Sequence, residues 1–288
     1  MSIFSFPAYQ TGPLTSHGEE VHGNAGHVAQ GWRTDTYRNL ATQPNTHIVT
    51  IDYRGFGHST GSPTEAGLIA DGTALVNWVL HTARTPPENI VLLGQSLGTA
   101  VSSAVALNFI DPSNAFIPNS HHESSSLLHN EQQIAKPTAF AGVILVAPFS
   151  SLPSLLLTYR LGGLVPILLP LRPFPSVGSA LTRRMTDKWL SAKRLAAYYR
   201  AFASQPGLLR SSAGQDGRGD GREMGTLQLI HAKTDMDISY HQTELICAEI
   251  FGHDAAGTYV AGEEGLLLDV RGEDQPRVKV EIVEHGGE

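Results

Sequence analysis

The sequence predicts an α/β protein in which a mostly parallel sheet is covered by helices on both faces. Two observations lead to this fold class. Short apolar segments typical of buried strands alternate with longer segments in which apolar residues recur at helical spacing. The chain also has 288 residues, 41% of them hydrophobic, which is enough for one large core.

The predicted elements follow one another in this alternating order. Strands are expected at 47–52, 90–93, 142–147, 227–230 and 278–283, and helices at 63–81, 98–109 and 240–251. Residues 16–21 read SHGEEV and lack the apolar pattern of a strand. We therefore expect the sheet to be incomplete at its N-terminal edge.

Two polar stretches interrupt the alternation and are predicted to be loops, at 111–138 and 205–225. The first contains His121, His122 and His129, but their spacing matches no known set of zinc ligands on a rigid element. We therefore predict solvated histidines and no metal site.

Composition argues against several classes of function. The net charge of −7 and the pI near 6.0 argue against a nucleic-acid binder, because such proteins usually have a basic face.

Cys247 is the only cysteine, so no intrachain disulfide can form, and we interpret it as a core residue. The first residues lack the basic start and long apolar run of a secretory signal. We expect a cytoplasmic or membrane-peripheral protein of undetermined oligomeric state.

The most apolar stretch is 152–171, and its core at 154–171 contains Arg160, two glycines and two prolines, which are not typical of a membrane-spanning helix. We interpret it as part of an apolar cap, inserted at about 150–200, or as a patch that contacts a membrane surface. Its large apolar side chains either line a tunnel for an acyl chain or pack in the core: Leu155, Leu156, Leu157, Leu164, Val165 and Ile167.

The most informative motif is Gly94-Gln95-Ser96-Leu97-Gly98, which lies between a predicted strand and a predicted helix. In this context a G-x-S-x-G sequence places a nucleophilic serine on a sharp turn above the sheet. The two glycines allow the helix to cross close to the strand. Ser96 is therefore the predicted nucleophile, and the Leu97 amide is a predicted donor to the oxyanion that develops during acyl transfer.

A serine nucleophile requires a base and a carboxylate that orients the base, and in α/β-hydrolases the order along the chain is Ser, Asp or Glu, His. The loop after the 227–230 strand contains both Asp235 and Asp237. We choose Asp235 as the acid. Upstream, the His22-Gly23-Asn24 turn offers the Asn24 amide as the second oxyanion donor.

Four segments in this order carry a resemblance: HGNAGH, DYRGFGHSTGSPTE, GQSLGTA and VAPFSSLPSLLLTYRLGG. They resemble α/β-hydrolases of the serine aminopeptidase-like branch, most closely lipases of the abhydrolase-domain-twelve type in their fungal form. The resemblance covers about residues 21–287. It implies one α/β-hydrolase domain at 21–288 after a non-family segment at 1–20. It also implies the same roles for Ser96, Asp235, Asn24 and Leu97.

The chain departs from the family pattern at the base. Family members carry a histidine in a GGHN-like turn after the last strand, where this chain has Glu288. His285 lies three residues earlier, a distance of up to about 10 Å in extended chain. Either His285 is the base or this chain has none. Both ends are also shorter than in the family, as in a partial gene model.

The resemblance implies hydrolysis of monoacylglycerols or lysophospholipids through an acyl-enzyme, with no metal or organic cofactor. An acyl lipid is the expected substrate, and the apolar cap is the expected contact with a membrane surface. Two alternatives remain: a peptidase or small-ester esterase, and a catalytically impaired hydrolase that binds a lipid or a protein.

Overall fold

The computed structural model describes twelve segments of the chain, which contain most of the predicted elements. They are residues 2–4, 19–21, 27–28, 33–118, 136–158, 160–161, 165–166, 185–210, 223–252, 260–262, 265–271 and 275–284. Two residues of the predicted site, Asn24 and His285, lie outside them.

The strands within these segments follow each other along the chain as β1 Ser2–Phe4, β2 Glu19–Val21, β3 Ile48–Val49, β4 Val91–Gln95, β5 Gly142–Val146, β6 Arg160–Leu161, β7 Val165–Pro166, β8 Thr226–Ala232, β9 Val260–Gly262, β10 Gly265–Val270 and β11 Val278–Val283. The α-helices are α1 Arg33–Ala41, α2 Glu65–His81, α3 Leu97–Ile110, α4 Leu152–Thr158, α5 Ser191–Ala203 and α6 His241–Phe251.

Nine of these strands form one open sheet in the order β3-β1-β2-β4-β5-β8-β11-β10-β9, counted over the described part of the chain. Its centre, from β2 to β11, is parallel. β1 and the hairpin partners β9 and β10 are antiparallel to their neighbours. This is the predicted α/β architecture, because parallel strands must be joined by crossovers that place helices over the sheet.

The structure confirms the central elements and corrects the N-terminal ones. β11 has the predicted bounds, and the predicted helix at 63–81 begins at Glu65, where the Thr64 side chain accepts from the Gly67 amide. The prediction that 16–21 contains no strand is wrong, because Glu19–Val21 pairs parallel with β4. The strand expected at 47–52 is only the pair Ile48–Val49. Such short strands give little periodic signal.

The main hydrophobic core lies between the sheet and its helices, and α3 is its most buried helix. Alanines, serines and valines fill α3 on every side, and their small volume lets the helix approach the sheet closely. Cys247 is buried in this core, as predicted. Leu155 of α4 is buried in the same cluster, which favours core packing over a tunnel-lining role for this residue.

Residues at the start of the predicted cap insertion are hydrogen-bonded to residues shortly before its predicted end at about 200. The Leu152 amide donates to the Lys188 carbonyl at 2.9 Å, and the Ala192 amide donates to the Ser150 carbonyl at 2.9 Å. The Gln242 side chain on α6 accepts from both the amide and the hydroxyl of Ser150. Residues 150–152 therefore lie beside residues 188–192 and next to α6.

A buried carboxylate holds residues 188–194 in place. Glu65, at the first position of α2, accepts from the amides of Lys188 and Trp189 and from the guanidinium of Arg194.

Among the described helices, none is both long and apolar enough to cross a membrane.

Candidate active site

Ser96 lies at the turn between β4 and α3, as the motif predicts. Its backbone has φ 49° and ψ −117°, a conformation that residues with a Cβ rarely adopt. The residue is partly exposed, although all five residues of β4 before it are buried. The strained turn therefore lifts one hydroxyl out of the core at the carboxyl end of the central strand.

Gly94 makes this turn possible because a side chain has no room there. A Cβ at Gly94 would lie 2.5 Å from the Gly98 carbonyl oxygen and 2.7 Å from the Thr99 Cα. Both are backbone atoms of the first turn of α3, so they cannot rotate away. The glycine spacing in the motif is thus a direct requirement for the close crossing of strand and helix.

Hydrogen bonds fix the backbone on both sides of Ser96. Its amide donates to the Val146 carbonyl at 3.0 Å and so continues the pairing of β4 with β5. Its carbonyl accepts from the amide of Thr99 at 3.0 Å and from the Thr99 hydroxyl at 2.6 Å. Sequence reasoning did not assign Thr99 a role. A threonine three residues after the serine, in the first turn of α3, is the signal that points to it.

The Leu97 amide is the first amide of α3. The first amides of an α-helix have no carbonyl partner within the helix and lie at the positive end of its dipole. This position suits the predicted donor to an oxyanion that forms on a substrate attacked by Ser96. The predicted second donor, Asn24, lies outside the described residues.

Asp235 lies in the loop after β8, at the same edge of the sheet as Ser96. Gln95, Val146 and Ile230 are in register across β4, β5 and β8. Adjacent strands are about 4.8 Å apart, so the backbones of β4 and β8 are separated by about 10 Å. β11 lies on the far side of β8, and the predicted base His285 follows its end.

The two oxygens of the Asp235 carboxylate have different surroundings. Oδ1 accepts from the amides of Asp237, at 3.0 Å, and Ile238, at 2.8 Å. Oδ2 has a neighbouring nitrogen, Nε2 of His231, at 3.7 Å, which is beyond hydrogen-bond distance. The carboxylate side chain is only 6% exposed. The loop therefore fixes the carboxylate through one oxygen and leaves the other for a further donor.

His231 is a buried residue of this site that sequence reasoning missed. Its ring nitrogens lie 2.7 Å from the Thr243 hydroxyl and 2.7 Å from the Ile238 carbonyl. Burial lowers the pKa of His231, while the Ile238 carbonyl and the Asp235 charge act in the opposite direction. The signal was present in the sequence, because alternation along β8 places His231 on the same buried face as Leu227 and Leu229.

A separate open cleft of about 650 Å³ lies between α2 and the loop after β3. Its polar wall includes Arg54 and Asp71, whose side chains form a charge-assisted pair at 2.7 Å. Neither Ser96 nor Asp235 lines this cleft. Within the described segments, no group of three or more histidine, cysteine or acidic side chains could hold a metal ion.

A parallel sheet with a strained serine between its central strand and a buried helix defines a class of hydrolases built on this fold. The sequence pattern of the alpha/beta hydrolase family matches residues 21–283. The chain therefore belongs to the alpha/beta hydrolase family.

Individual relatives are similar to this chain over a limited segment. The protein YfhR of Salmonella typhi is 42% identical over 78 residues, which are 27% of this chain and 26% of that protein. Lysophosphatidylserine lipase ABHD12 of Danio rerio is 37% identical over 91 residues, which are 32% of this chain and 23% of that protein. The match thus spans about a quarter of the length of these relatives.

Solved structures resemble this one at low sequence identity. An alpha-beta hydrolase from Vibrio vulnificus aligns with 83% of this chain and 67% of its own, with a TM-score of 0.49 and 14% identity.

Proposed function

We propose that this protein is a serine hydrolase that cleaves carboxylic esters of acyl lipids through an acyl-enzyme. The observation that carries the proposal is the backbone of Ser96, which is held in a left-handed conformation at the carboxyl end of β4 and the start of α3. Strain of this kind persists only where surrounding structure enforces it, and it is concentrated at functional sites.

The proposed reaction has two steps. The Ser96 hydroxyl attacks the ester carbonyl carbon and passes its proton to a histidine, and the Leu97 and Asn24 amides bind the resulting oxyanion. The C–O bond to the alcohol then breaks, and the histidine returns the proton to the leaving oxygen. Water repeats the sequence on the acyl-enzyme, releases the fatty acid and restores Ser96. In both steps Asp235 orients the histidine by accepting a hydrogen bond at Oδ2.

The substrate class is proposed from similarity and composition together. The lipase ABHD12 of Danio rerio is named for lysophosphatidylserine, and its similar segment makes a lysophospholipid the first substrate to test. The apolar stretch 152–171, apart from the core residue Leu155, would receive the acyl chain and contact a lipid surface. A monoacylglycerol is the second candidate, because it presents the same ester to Ser96 without the charged head group.

The first experiment tests the nucleophile. The full chain and its Ser96→Ala variant are incubated with a fluorophosphonate probe and assayed with lysophosphatidylserine, a monoacylglycerol and a short p-nitrophenyl ester. We expect labelling and hydrolysis to disappear in Ser96→Ala. Ser113→Ala is the matched control, because Ser113 is exposed and its hydroxyl donates to the nearby Asp111 carboxylate.

The outcomes separate the alternatives. Labelling that persists in Ser96→Ala would disprove the nucleophile. Hydrolysis of only the short ester would favour a small-ester esterase, and cleavage of aminoacyl substrates would favour a peptidase. Binding to lipid vesicles without labelling would favour a catalytically impaired hydrolase.

The second experiment tests the base. If His285 takes the proton from Ser96, His285→Ala should lower kcat by about 10⁴- to 10⁶-fold. His241→Ala is the control, because His241 is an exposed histidine on α6 that contacts Glu244. Strong activity in His285→Ala would show that another residue is the base.

A further inference from the structure

We infer that His231 is a positioning residue that holds the acid loop, and through it Asp235, in place for catalysis; this inference rests on the proposed function. His231 is the penultimate residue of β8, and its side chain has no exposed surface. Its ring lies between the loop that contains Asp235 and helix α6.

The hydrogen-bond partners determine which ring nitrogen carries the proton. The Ile238 carbonyl can only accept, so Nε2 of His231 must be the donor in the 2.7 Å contact. Nδ1 of the neutral ring is then an acceptor, and the Thr243 hydroxyl donates to it at 2.7 Å. Thr243 is fully buried, so water does not reach its hydroxyl, and the His231 ring provides its hydrogen-bond partner.

Ile238 connects this histidine to the acid. Its carbonyl accepts from His231, and its amide donates to Oδ1 of Asp235 at 2.8 Å. One residue therefore receives a bond from the buried ring and gives a bond to the carboxylate. Because the Ile238 side chain is also buried, the peptide groups on either side of it have little freedom to rotate.

The distances also show what His231 does not do. Its Nε2 is 3.7 Å from Oδ2 of Asp235, so it does not use the oxygen that the catalytic imidazole needs. Both ring nitrogens are occupied by internal partners, and the side chain has no exposed surface. A buried ring with both nitrogens engaged is suited to holding a loop and not to shuttling protons to a substrate.

The test compares matched variants at two positions. His231→Phe keeps a planar ring but removes both hydrogen bonds, whereas His231→Gln keeps an amide donor that can reach the Ile238 carbonyl. Thr243→Val removes only the hydroxyl, whereas Thr243→Ser keeps it. A positioning role predicts that the Gln and Ser variants resemble the wild-type chain and that the Phe and Val variants do not.

The first readout is independent of catalysis. Hydrogen exchange of the Asp237 and Ile238 amides reports whether they still donate to Oδ1 of Asp235, and Asp235→Ala gives the rate without that acceptor. We expect exchange about 5- to 10-fold faster in His231→Phe than in the wild-type chain, and restored protection in His231→Gln. Equal exchange in His231→Phe and the wild-type chain would overturn the inference.

The second readout is the split between kcat and KM on a soluble short ester. A displaced acid should lower kcat by about 10- to 100-fold and leave KM unchanged. In an Asp235→Asn background, His231→Phe should then have almost no further effect on kcat, because it acts through that carboxylate. A full additional loss in that background would also overturn the inference.

The two readouts fail separately. If the amides lose protection in His231→Phe but the wild-type chain shows no Ser96-dependent hydrolysis or labelling, the proposed function is wrong and the loop-holding role stands. If hydrolysis depends on Ser96 but the amides and kcat are unchanged in His231→Phe, the proposed function stands and the positioning role is wrong.

Discussion

The carboxylate of Glu65 and the guanidinium of Arg194 form an ion pair that is almost closed to water. Oε1 and Nη2 are 2.5 Å apart, and the side chains of Arg194 and Glu65 are 2% and 8% exposed. Arg194 also donates through Nε to the Phe116 carbonyl. Burial lowers the pKa of Arg194 and the Glu65 charge opposes this shift, but a guanidinium keeps its charge at neutral pH.

Removing one member of this pair should destabilise the fold strongly. Glu65→Gln leaves a buried guanidinium without its counter-charge, and we expect the free energy of unfolding to fall by about 3–5 kcal/mol in urea denaturation. Asp35→Asn is the matched control: Asp35 and Arg38 also pair, but these side chains are 67% and 76% exposed. Its effect should stay below about 1 kcal/mol. Equal effects at both sites would contradict the role assigned to burial.

Gly94→Ala should disrupt the turn that presents Ser96. The new Cβ would meet the Gly98 carbonyl oxygen at 2.5 Å, so strand and helix must separate. We expect a loss of stability of about 1–3 kcal/mol or more, together with loss of fluorophosphonate labelling. Gly207→Ala is the control, because a Cβ there meets no atom within 4 Å. Normal labelling of Gly94→Ala would show that the motif tolerates a wider crossing.

Asp235→Asn should leave the fold intact and remove most activity. The amide oxygen of asparagine can still accept from the Asp237 and Ile238 amides, so the loop keeps its hydrogen bonds. The amide nitrogen would replace Oδ2 and could not accept from the catalytic imidazole. We expect kcat to fall by about 10⁴-fold, with an unchanged thermal midpoint. The comparison is Asp237→Asn, and a larger loss there would mean that Asp237 is the acid.

Acidification should destabilise the protein through His231. Burial lowers the pKa of His231 below its usual 6.5 in the folded chain. The unfolded chain therefore binds a proton at about pH 6.5 that the folded chain does not bind until a lower pH. The free energy of unfolding should fall as the pH drops below 6.5 and should level off below the folded pKa. Near neutral pH the ring is neutral in both states, so this loss of stability is absent.

This pH dependence can be assigned by comparing urea denaturation of the wild-type chain and His231→Gln from pH 7.5 to 5. The other histidines titrate in both proteins, so the difference between the two slopes belongs to position 231. The Asp235 carboxylate faces this ring and attracts its protonated form. It therefore reduces the difference between the pKa values of His231 in the folded and unfolded chains. Parallel slopes would show that His231 titrates equally in the folded and unfolded chains.

Local patterns predicted the centre of the fold and the position of Ser96 between a strand and a helix. β4, Ser96 and α3 follow each other without interruption, so a short window contains the whole strand-turn-helix signal. β11 was equally clear, because its alternation matches a half-buried strand. Helix α5 was overlooked although its buried Leu195, Tyr198 and Phe202 have helical spacing, since the cap was assigned to the whole of 150–200.

The remaining contacts join residues that are far apart in the sequence. Arg194 meets Glu65 across 129 positions, and Gln242 meets Ser150 across 92. Neither residue has a neighbour in sequence that points to its partner. The same holds for His231, whose buried position was readable from the alternation of β8 but whose bond to Thr243 depends on where α6 packs.

The left-handed backbone at Ser96 has a consequence for anyone who engineers this protein. Glycine adopts φ 49° and ψ −117° without a Cβ clash, whereas serine and alanine both carry a strain of about 1–3 kcal/mol there. A selection that rewards heat resistance alone would therefore enrich glycine at position 96. The selected protein would be more stable but would lack the hydroxyl on which the proposed chemistry depends. Each round of such a screen must therefore include an assay of ester hydrolysis.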